Sequence, residues 1–302
     1  MGTFDYPGST VTQTQPQKIN DLGDIVGIFV DTSAVSRGFI RFNNGVFSPP
    51  LVDPNDTVNF TQGRGINNSR IVCGDYLDAD LVNFHGFFFT HGNYQNFDLA
   101  DSTTTILLGI NNAQDFAGSV IPTGGIQEAF LSIGGTVTEF AVTDATATLA
   151  YQLNATNQSC GYYIDSSGVV THGYWRDSDG TINAPIDPVG STSTILFGNN
   201  NTNQMVGRYV DAVGDTHGIL FNPSNNSFVV YDFPGATFTS LNGINERGVV
   251  VGRYTDPSTG IDHGILARIS WSGRAGVMLP LAPPSAPAQA LPQHAVYTAP
   301  AY

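Results

Sequence analysis

Histidine, arginine and acidic side chains recur at one position of the chain with a spacing that could build a metal site. The position holds Arg37, His85, Glu128, His172, His217 and His263, so it contains four of the six histidines. An aspartate precedes it by six or seven residues in every copy but one, and these aspartates are Asp31, Asp78, Asp165, Asp211 and Asp256. Imidazole and carboxylate groups together bind zinc and similar metals, and carboxylates alone suit calcium.

The same residues also suit a purely structural role. Each histidine could bridge its own loop by pairing with the aspartate before it or with backbone carbonyls, and Arg37 could pair with Asp31 in the same way. An aspartate at the end of a strand commonly caps the following loop. Metal ligands lie within about 2 Å of the ion, and equivalent residues of different repeats are normally farther apart than that allows. We therefore interpret these residues as a structural polar ring and predict no cofactor, with calcium as the open alternative.

The spacing of these residues follows from a repeat that fills most of the chain. Its clearest copy runs from Ile244 to Asp256 and continues with His263-Gly264-Ile265-Leu266. Aligned on one glycine, the copies are 43 to 47 residues apart, and the aligned residues are Gly27, Gly74, Gly118, Gly161, Gly207 and Gly252. Six copies of nearly constant length predict a single array with a shared core.

Each copy contains four short segments with strand character, separated by turns rich in Asn, Asp and Gly. Four strands in about 45 residues is the content of a propeller blade. The sixth copy ends without an equivalent of Tyr231-Asp232-Phe233-Pro234-Gly235, whereas a near match, Phe4-Asp5-Tyr6-Pro7-Gly8, precedes the first copy. We predict an all-β fold: a six-bladed β-propeller of four-stranded blades in residues 1–270, closed by the N-terminal strand in a three-plus-one clasp.

These motifs resemble the bacterial HAF-type extracellular repeat. The resemblance rests on Ile-Asn-x-x-Gly-x-Val-Val-Gly-x-Tyr-x-Asp, on His-Gly-Ile-Leu and on Phe-Pro-Gly-Ala-Thr, and it covers about residues 3 to 270. The third copy departs most, with Pro122 in place of the aspartate and Glu128-Ala129 in place of His-Gly. The resemblance implies a β-propeller outside the cell or at its surface, and it implies no particular chemistry.

The composition of the 302-residue chain narrows the possible partners. The formal net charge is −14, with one lysine, Lys18, and ten arginines. Nucleic-acid binding depends on clustered basic side chains, so a nucleic-acid partner is not expected. No run of about 18 apolar residues occurs, so no membrane span is predicted. Cys73 and Cys160 fall at one position of two non-adjacent repeats, and we interpret both as buried apolar residues.

Residues 271–302 form a separate segment rich in proline and alanine. Prolines exclude a central strand and favour an extended chain. We predict that this segment docks on its own propeller or on a neighbouring copy, and the second arrangement would build a ring or a filament. Its apolar anchors would be Trp271, Val277, Met278, Leu279, Leu281, Leu291, Val296, Tyr297 and Tyr302.

The chain lacks a nucleophile elbow, a phosphate-binding loop and a His-Glu-x-x-His motif. We therefore predict a secreted, non-enzymatic structural or interaction module that self-assembles through its C-terminal segment. Two alternatives stay open. The first is a carbohydrate- or peptide-binding propeller that uses its central funnel, with Tyr94, Tyr162, Tyr174 or Trp175 stacking on a sugar. The second is a hydrolase with an unrecognised site, which would need acids and an arginine converging in that funnel.

Overall fold

A computed structural model of the chain describes residues 2–270 and 277–280, and all regular structure in this part is β-strand. In chain order the strands are β1 (Gly2–Phe4), β2 (Val11–Ile19), β3 (Ile25–Asp31), β4 (Ser36–Arg41), β5 (Thr61–Ile66), β6 (Val72–Leu77), β7 (Phe84–Thr90), β8 (Asn93–Phe97), β9 (Ser102–Ile110), β10 (Phe116–Pro122), β11 (Glu128–Ile133), β12 (Thr136–Phe140), β13 (Ala147–Leu153), β14 (Ser159–Ile164), β15 (Thr171–Arg176), β16 (Ile182–Ile186), β17 (Ser193–Asn199), β18 (Met205–Val210), β19 (Thr216–Asn222), β20 (Ser227–Tyr231), β21 (Thr239–Ile244), β22 (Val249–Thr255), β23 (Asp262–Ser270) and β24 (Val277–Pro280). Within the described residues no helix could cross a bilayer.

The strands form five sheets in a propeller-like arrangement. Four sheets have four antiparallel strands each, β5 to β8, β9 to β12, β13 to β16 and β17 to β20. The fifth has eight strands. A parallel pair between Gln13 and Asp262 joins β2, β3 and β4 of the first repeat to β21, β22 and β23 of the last, and β1 and β24 both pair with β23. The all-β architecture of four-stranded sheets agrees with the prediction. The predicted six separate blades differ from the sheets observed, since the first and last repeats share one sheet.

The outer edge of β23 carries strands from both ends of the chain. β1 lies antiparallel to it, with Gly2 opposite Leu266 and Phe4 opposite Gly264. β24 continues along the same strand, from Ala267 to Ser270. The N-terminal strand thus occupies the edge where the sequence predicts a missing fourth strand, and the C-terminal segment extends that edge. Of the predicted assembly residues, Val277, Met278 and Leu279 lie in β24 on their own chain's sheet, and the described part of the chain does not include Trp271, Leu281, Leu291, Val296, Tyr297 and Tyr302.

The asparagine of each Ile-Asn pair, or of its equivalent, ties neighbouring repeats together, and we call these six residues the asparagine ring. Each side-chain amide but that of Asn200 donates to the backbone carbonyl of the ring asparagine in the next repeat, at 2.9 to 3.3 Å. Each donor bonds the next ring asparagine in the sequence Asn20, Asn67, Asn111, Asn154 and Asn200, and Asn245 donates to the carbonyl of Asn20. At Asn200 the amide donates to Gln204 instead, and the Asn201 backbone N–H reaches the Glu246 carboxylate at 3.0 Å. The last repeat is therefore bonded to the first.

The aligned glycine of each repeat stands where no side chain fits. A Cβ on Gly161 would overlap the backbone carbonyl oxygen of Leu149 on the innermost strand, and the other five aligned glycines meet the same obstacle. In the first four repeats a buried aromatic ring fills the space above this glycine, and these rings belong to Phe39, Phe87, Phe130 and Tyr174. The close approach of ring and strand thus requires glycine at this position.

The core fills the spaces between successive sheets, where buried side chains of neighbouring repeats pack together. Val26 of the first repeat, for example, belongs to the same cluster as Ile66 and Phe87 of the second. Cys73 and Cys160 are free thiols inside this core. Burial raises the pKa of both thiols to about 12, which keeps them protonated at neutral pH. The prediction that they are buried apolar residues is confirmed.

Candidate functional site

Each histidine of the polar ring packs on a tyrosine and pairs with an aspartate that the sequence interpretation did not assign to it. The tyrosine and histidine ring centroids lie 4.9 to 5.2 Å apart. The pairs and their Nδ1-to-carboxylate distances are His85 with Asp98 (3.0 Å), His172 with Asp187 (2.6 Å), His217 with Asp232 (2.9 Å) and His263 with Asp5 (2.8 Å). Asp5 follows β1, so the N-terminal segment gives the last repeat the partner that the other repeats take from the loop after their own fourth strand.

The aspartates predicted as partners mainly cap loops. Their Oδ1 atoms accept backbone N–H groups from the loops they begin, and they are Asp31, Asp78, Asp165, Asp211 and Asp256. Only Asp211, at 3.3 Å from His217 Nε2, also forms a hydrogen bond with its histidine. The suggested pairing of Arg37 with Asp31 is wrong: strand pairing sets Arg37 opposite Phe29, and its Nη2 donates to Asn59 Oδ1 at 3.2 Å. No group of three or more His, Cys, Asp or Glu side chains in the described residues is arranged to hold a metal.

Replacing His217 with glutamine tests what such a pair contributes. Burial lowers the pKa of His217, but Asp232 and Asp211 outweigh burial and raise it above the ordinary value of 6.5. A pKa raised in the folded state gives stability that is complete below pH 6.5 and is lost as the pH rises through the folded pKa. We expect H217Q to lower the free energy of unfolding by up to about 1 kcal/mol at about pH 5.5 and by a smaller amount at about pH 9. Urea titrations at the two pH values measure both losses.

The control is H91Q, because the His91 ring hydrogen-bonds Thr90 rather than a carboxylate. H91Q should lose little stability at either pH value. An equal loss at both pH values in H217Q would contradict the electrostatic explanation.

A second set of side chains lies at the centre of the array, where the innermost strands face one another. Each innermost strand has a bulge at the same place, so one residue is left out of the pairing with the next strand. The residues left out are Gln17, Arg64, Leu108, Tyr151, Phe197 and Asn242. A bulge redirects the side chain of its extra residue, and bulges are common beside functional sites.

Five of these six bulge residues line a single open cavity of about 170 Å³, which we call the central cavity. Its walls are Gln15, Gln17, Arg64, Tyr151, Phe197, Arg208, Ser240, Asn242 and Arg253. No aspartate or glutamate is among them. In another protein a cavity of about 150 Å³ takes up benzene, so this one has room for a ligand of about one ring.

Three guanidinium groups reach the central cavity, and two of them are neutralised. Arg64 Nε lies 2.7 Å from Asp75, and Arg253 Nη1 lies 2.6 Å from Asp262. Arg208 forms no hydrogen bond or ion pair with any residue that the structure describes. Instead, its guanidinium carbon lies 5.5 Å from the ring centroids of both Phe197 and Phe238. Burial lowers the pKa of Arg208, as expected for a cation without a paired carboxylate.

Lys18 adds a fourth cation next to the central cavity. Four other repeats have glycine at its position, where a Cβ would lie 2.6 to 3.3 Å from backbone of the next repeat. The Lys18 side chain is buried, its Nζ donates to the Asn242 carbonyl at 3.3 Å, and it lies 5.7 Å from the centroid of the Tyr151 ring. Burial lowers its pKa from 10.5 to about 8.

The sequence analysis missed these residues, although a signal was present. The residue after the aligned glycine differs in nearly every repeat: Ile28, Asp75, Ser119, Tyr162, Arg208 and Arg253. The bulge residues differ in every repeat, whereas the residue that follows them is glycine in four of the six repeats. When only certain positions of a regular repeat vary, the side chains at those positions are not required to build the blade.

Of the aromatic residues suggested for sugar stacking, Tyr162 is the one close to the central cavity, because its ring centroid is 5.8 Å from that of Tyr151. Tyr174 is fully buried and donates to the Leu149 carbonyl at 3.1 Å. Trp175 packs in the core beside Cys160, and Tyr94 packs on Phe87. None of these three lines the central cavity.

No protein-family model and no curated protein sequence matches the chain. Several solved structures share its fold. A triple arginine-to-alanine variant of AofleA from Arthrobotrys oligospora has a TM-score of 0.55 at 12% identity, covering 90% of this chain and 87% of that one. A prolyl endopeptidase structure has a TM-score of 0.54 at 10% identity, covering 91% of this chain and 42% of that one. The six-bladed fucose-recognising lectin of Aleuria aurantia has a TM-score of 0.46 at 12% identity, covering 90% and 97%. At these identities the likeness concerns the fold alone.

Proposed function

We propose that the chain is a non-enzymatic carbohydrate-binding propeller whose ligand occupies the central cavity. One observation carries this proposal: bulges at equivalent places turn polar and aromatic side chains, different in each repeat, towards a common space. The aligned glycine and the ring asparagine recur in all six repeats, so the bulge residues can differ between repeats to suit a ligand. The open hydrolase alternative is weaker, since Asp75 and Asp262, the carboxylates that contact the lining arginines, are held in ion pairs by Arg64 and Arg253.

The chemistry of the walls suits a sugar. The Gln17 amide makes no side-chain hydrogen bond within the described residues, so it can both donate to and accept from the hydroxyl groups of a sugar ring. The Asn242 amide already donates to the Pro16 carbonyl and accepts from Ser240, and the Gln15 amide donates to Gln13 and Asp262. Tyr151 and Phe197 supply rings, 4.9 Å apart and nearly perpendicular, as apolar surfaces for the faces of a sugar. A small number of placed polar groups beside aromatic walls is the usual composition of a small-molecule site.

A glycan array of neutral and acidic oligosaccharides, probed with the labelled full-length chain, tests this function. We expect discrete binders, and we expect F197A to lose them, because it removes an aromatic wall of the central cavity. The matched control is V230A, which trims an exposed side chain far along the blade on β20 and should bind like the wild type. Binding that survives in F197A, or no binder among the glycans, would refute carbohydrate binding at this site.

We further propose that the array has six units and that the eight-stranded sheet comprises two of them. In support, one parallel pair joins its halves, and each half has its own bulge and aligned glycine. Membership of the HAF-type extracellular family and a location outside the cell are hypotheses that rest on the repeat motifs. Self-assembly through residues 271–302 likewise stays a prediction, and size-exclusion chromatography of the chain with and without that segment would test it.

A further inference from the structure

The charges around the central cavity do not balance. Lys18, Arg64, Arg208 and Arg253 carry four positive charges, and Asp75 and Asp262 supply two negative ones. The excess is unusual because the formal charge of the whole chain is −14. Lys18 is buried and Arg208 is partly buried, and neither is paired with a carboxylate in the described residues. Removing a charge from water without such a partner is costly, so these two cations call for an explanation.

Arg208 is the group with unused hydrogen-bonding capacity. The ring of Phe197 and the ring of Phe238 pack on its guanidinium, and such packing leaves the planar N–H edge as the binding surface. Phe238 also lies 4.8 Å from the guanidinium carbon of Arg253, so one aromatic ring spaces two arginines. Arg253 is committed to Asp262, whose other oxygen accepts from Thr255 at 2.7 Å. The N–H groups of Arg208 therefore face the cavity without a protein acceptor in the described structure.

We propose that the ligand of the central cavity carries a carboxylate and that Arg208 binds this group, which identifies the ligand as an acidic sugar such as a uronic acid. This inference rests on the proposed carbohydrate-binding function. A guanidinium fork binds a carboxylate through two parallel hydrogen bonds, and the pairing adds geometric selectivity to charge. Lys18 follows Gln17 in the same innermost strand and is not among the residues that line the cavity, so it acts on the ligand through the positive potential that it adds. The amide of Gln17, which makes no side-chain hydrogen bond within the described residues, then contacts the hydroxyl groups.

Isothermal titration calorimetry on the full-length chain tests the inference with three probes: glucuronate, glucose and acetate. Glucose differs from glucuronate at the group in question, and acetate is the bare carboxylate. We expect glucuronate to bind about tenfold or more tightly than glucose, the range of a charged hydrogen bond. The preference should shrink at high salt, since screening weakens it.

The variants are R208Q and R208K. R208Q removes both the positive charge and the planar guanidinium group, and R208K keeps the charge without the guanidinium group. R208Q should bind glucuronate and glucose equally, and R208K should retain part of the preference. R176Q is the matched control, because Arg176 packs on Phe140, away from the cavity. If the Arg208 variants do not fold, the salt dependence and the three-probe comparison in the wild type still decide the matter.

The outcomes separate the two proposals. Equal binding of glucose and glucuronate, or a preference that R208Q leaves intact, overturns the carboxylate inference and leaves carbohydrate binding in place. Binding of acetate without glucuronate supports Arg208 as a carboxylate site and refutes the sugar. If none of the probes binds, both proposals fail.

Discussion

The Gly161→Ala variant should fail to fold, or should lose on the order of 4 kcal/mol or more of unfolding free energy. The added methyl group would overlap the Leu149 carbonyl oxygen and would also meet the Tyr174 ring at 3.0 Å. A flexible side chain could move aside, but a strand carbonyl in the middle of a sheet cannot, so the innermost strand would have to separate from its neighbour. Urea unfolding followed by tryptophan fluorescence measures the loss, because Trp175 lies in the same sheet.

Gly190→Ala is the matched control. Nothing lies within 4 Å of a Cβ at Gly190, and its φ of +85° makes backbone strain the sole cost. That strain amounts to about 1–2 kcal/mol. If both variants lose the same amount, the steric explanation for the aligned glycine is wrong.

Replacing Lys18 with methionine should stabilise the protein at neutral pH and flatten its stability profile in mild alkali. Burial lowers the Lys18 pKa from 10.5 to about 8, so between those values the unfolded chain binds more protons than the folded one. Stability therefore rises with pH across this window, and below about pH 8 the charged lysine imposes its full cost. That cost is on the order of 3 kcal/mol at most, reduced by the lost hydrogen bond to Asn242.

We expect K18M to be about 1–3 kcal/mol more stable than the wild type near pH 7, with the difference shrinking as the pH approaches 10. Tyrosines titrate in the same range but are common to both proteins, so the difference isolates the lysine. Lys18 is the only lysine of the chain, which makes its Cε NMR signal a direct readout. A Cε titration midpoint near 10.5, or a destabilised K18M, would contradict the argument.

The architecture was readable from the sequence because its signals are short-range and repeated. The aligned glycine, the Ile-Asn pair and the N-terminal Phe4-Asp5-Tyr6-Pro7-Gly8 each correspond to a definite element. The number of sheets could not be predicted from the sequence. It depends on one pairing, Gln13 with Asp262, between residues in the first and last repeats. No local pattern encodes that pairing.

The central cavity was not predicted from the sequence, for a related reason. Aligning the copies by their common residues draws attention to His217 and Asp211 and away from Arg208, which has no counterpart in most repeats. The bulge also matters, because an extra residue in a strand changes which side chains share a face. The alternation of residues therefore does not show that Tyr151 and Arg64 meet at one cavity.

The shared edge of β23 has a consequence for how the polypeptide is threaded. β24 and β1 run in the same direction along that edge, and Pro280 sits opposite Ala267 while Gly2 sits opposite the adjacent Leu266. The two segments together form one strand that is interrupted between Pro280 and Gly2. A circular permutant that joins Pro280 to Gly2 and begins in another loop would keep every strand pairing described here. The order of the repeats around the ring, rather than the position of the termini, is what the fold specifies.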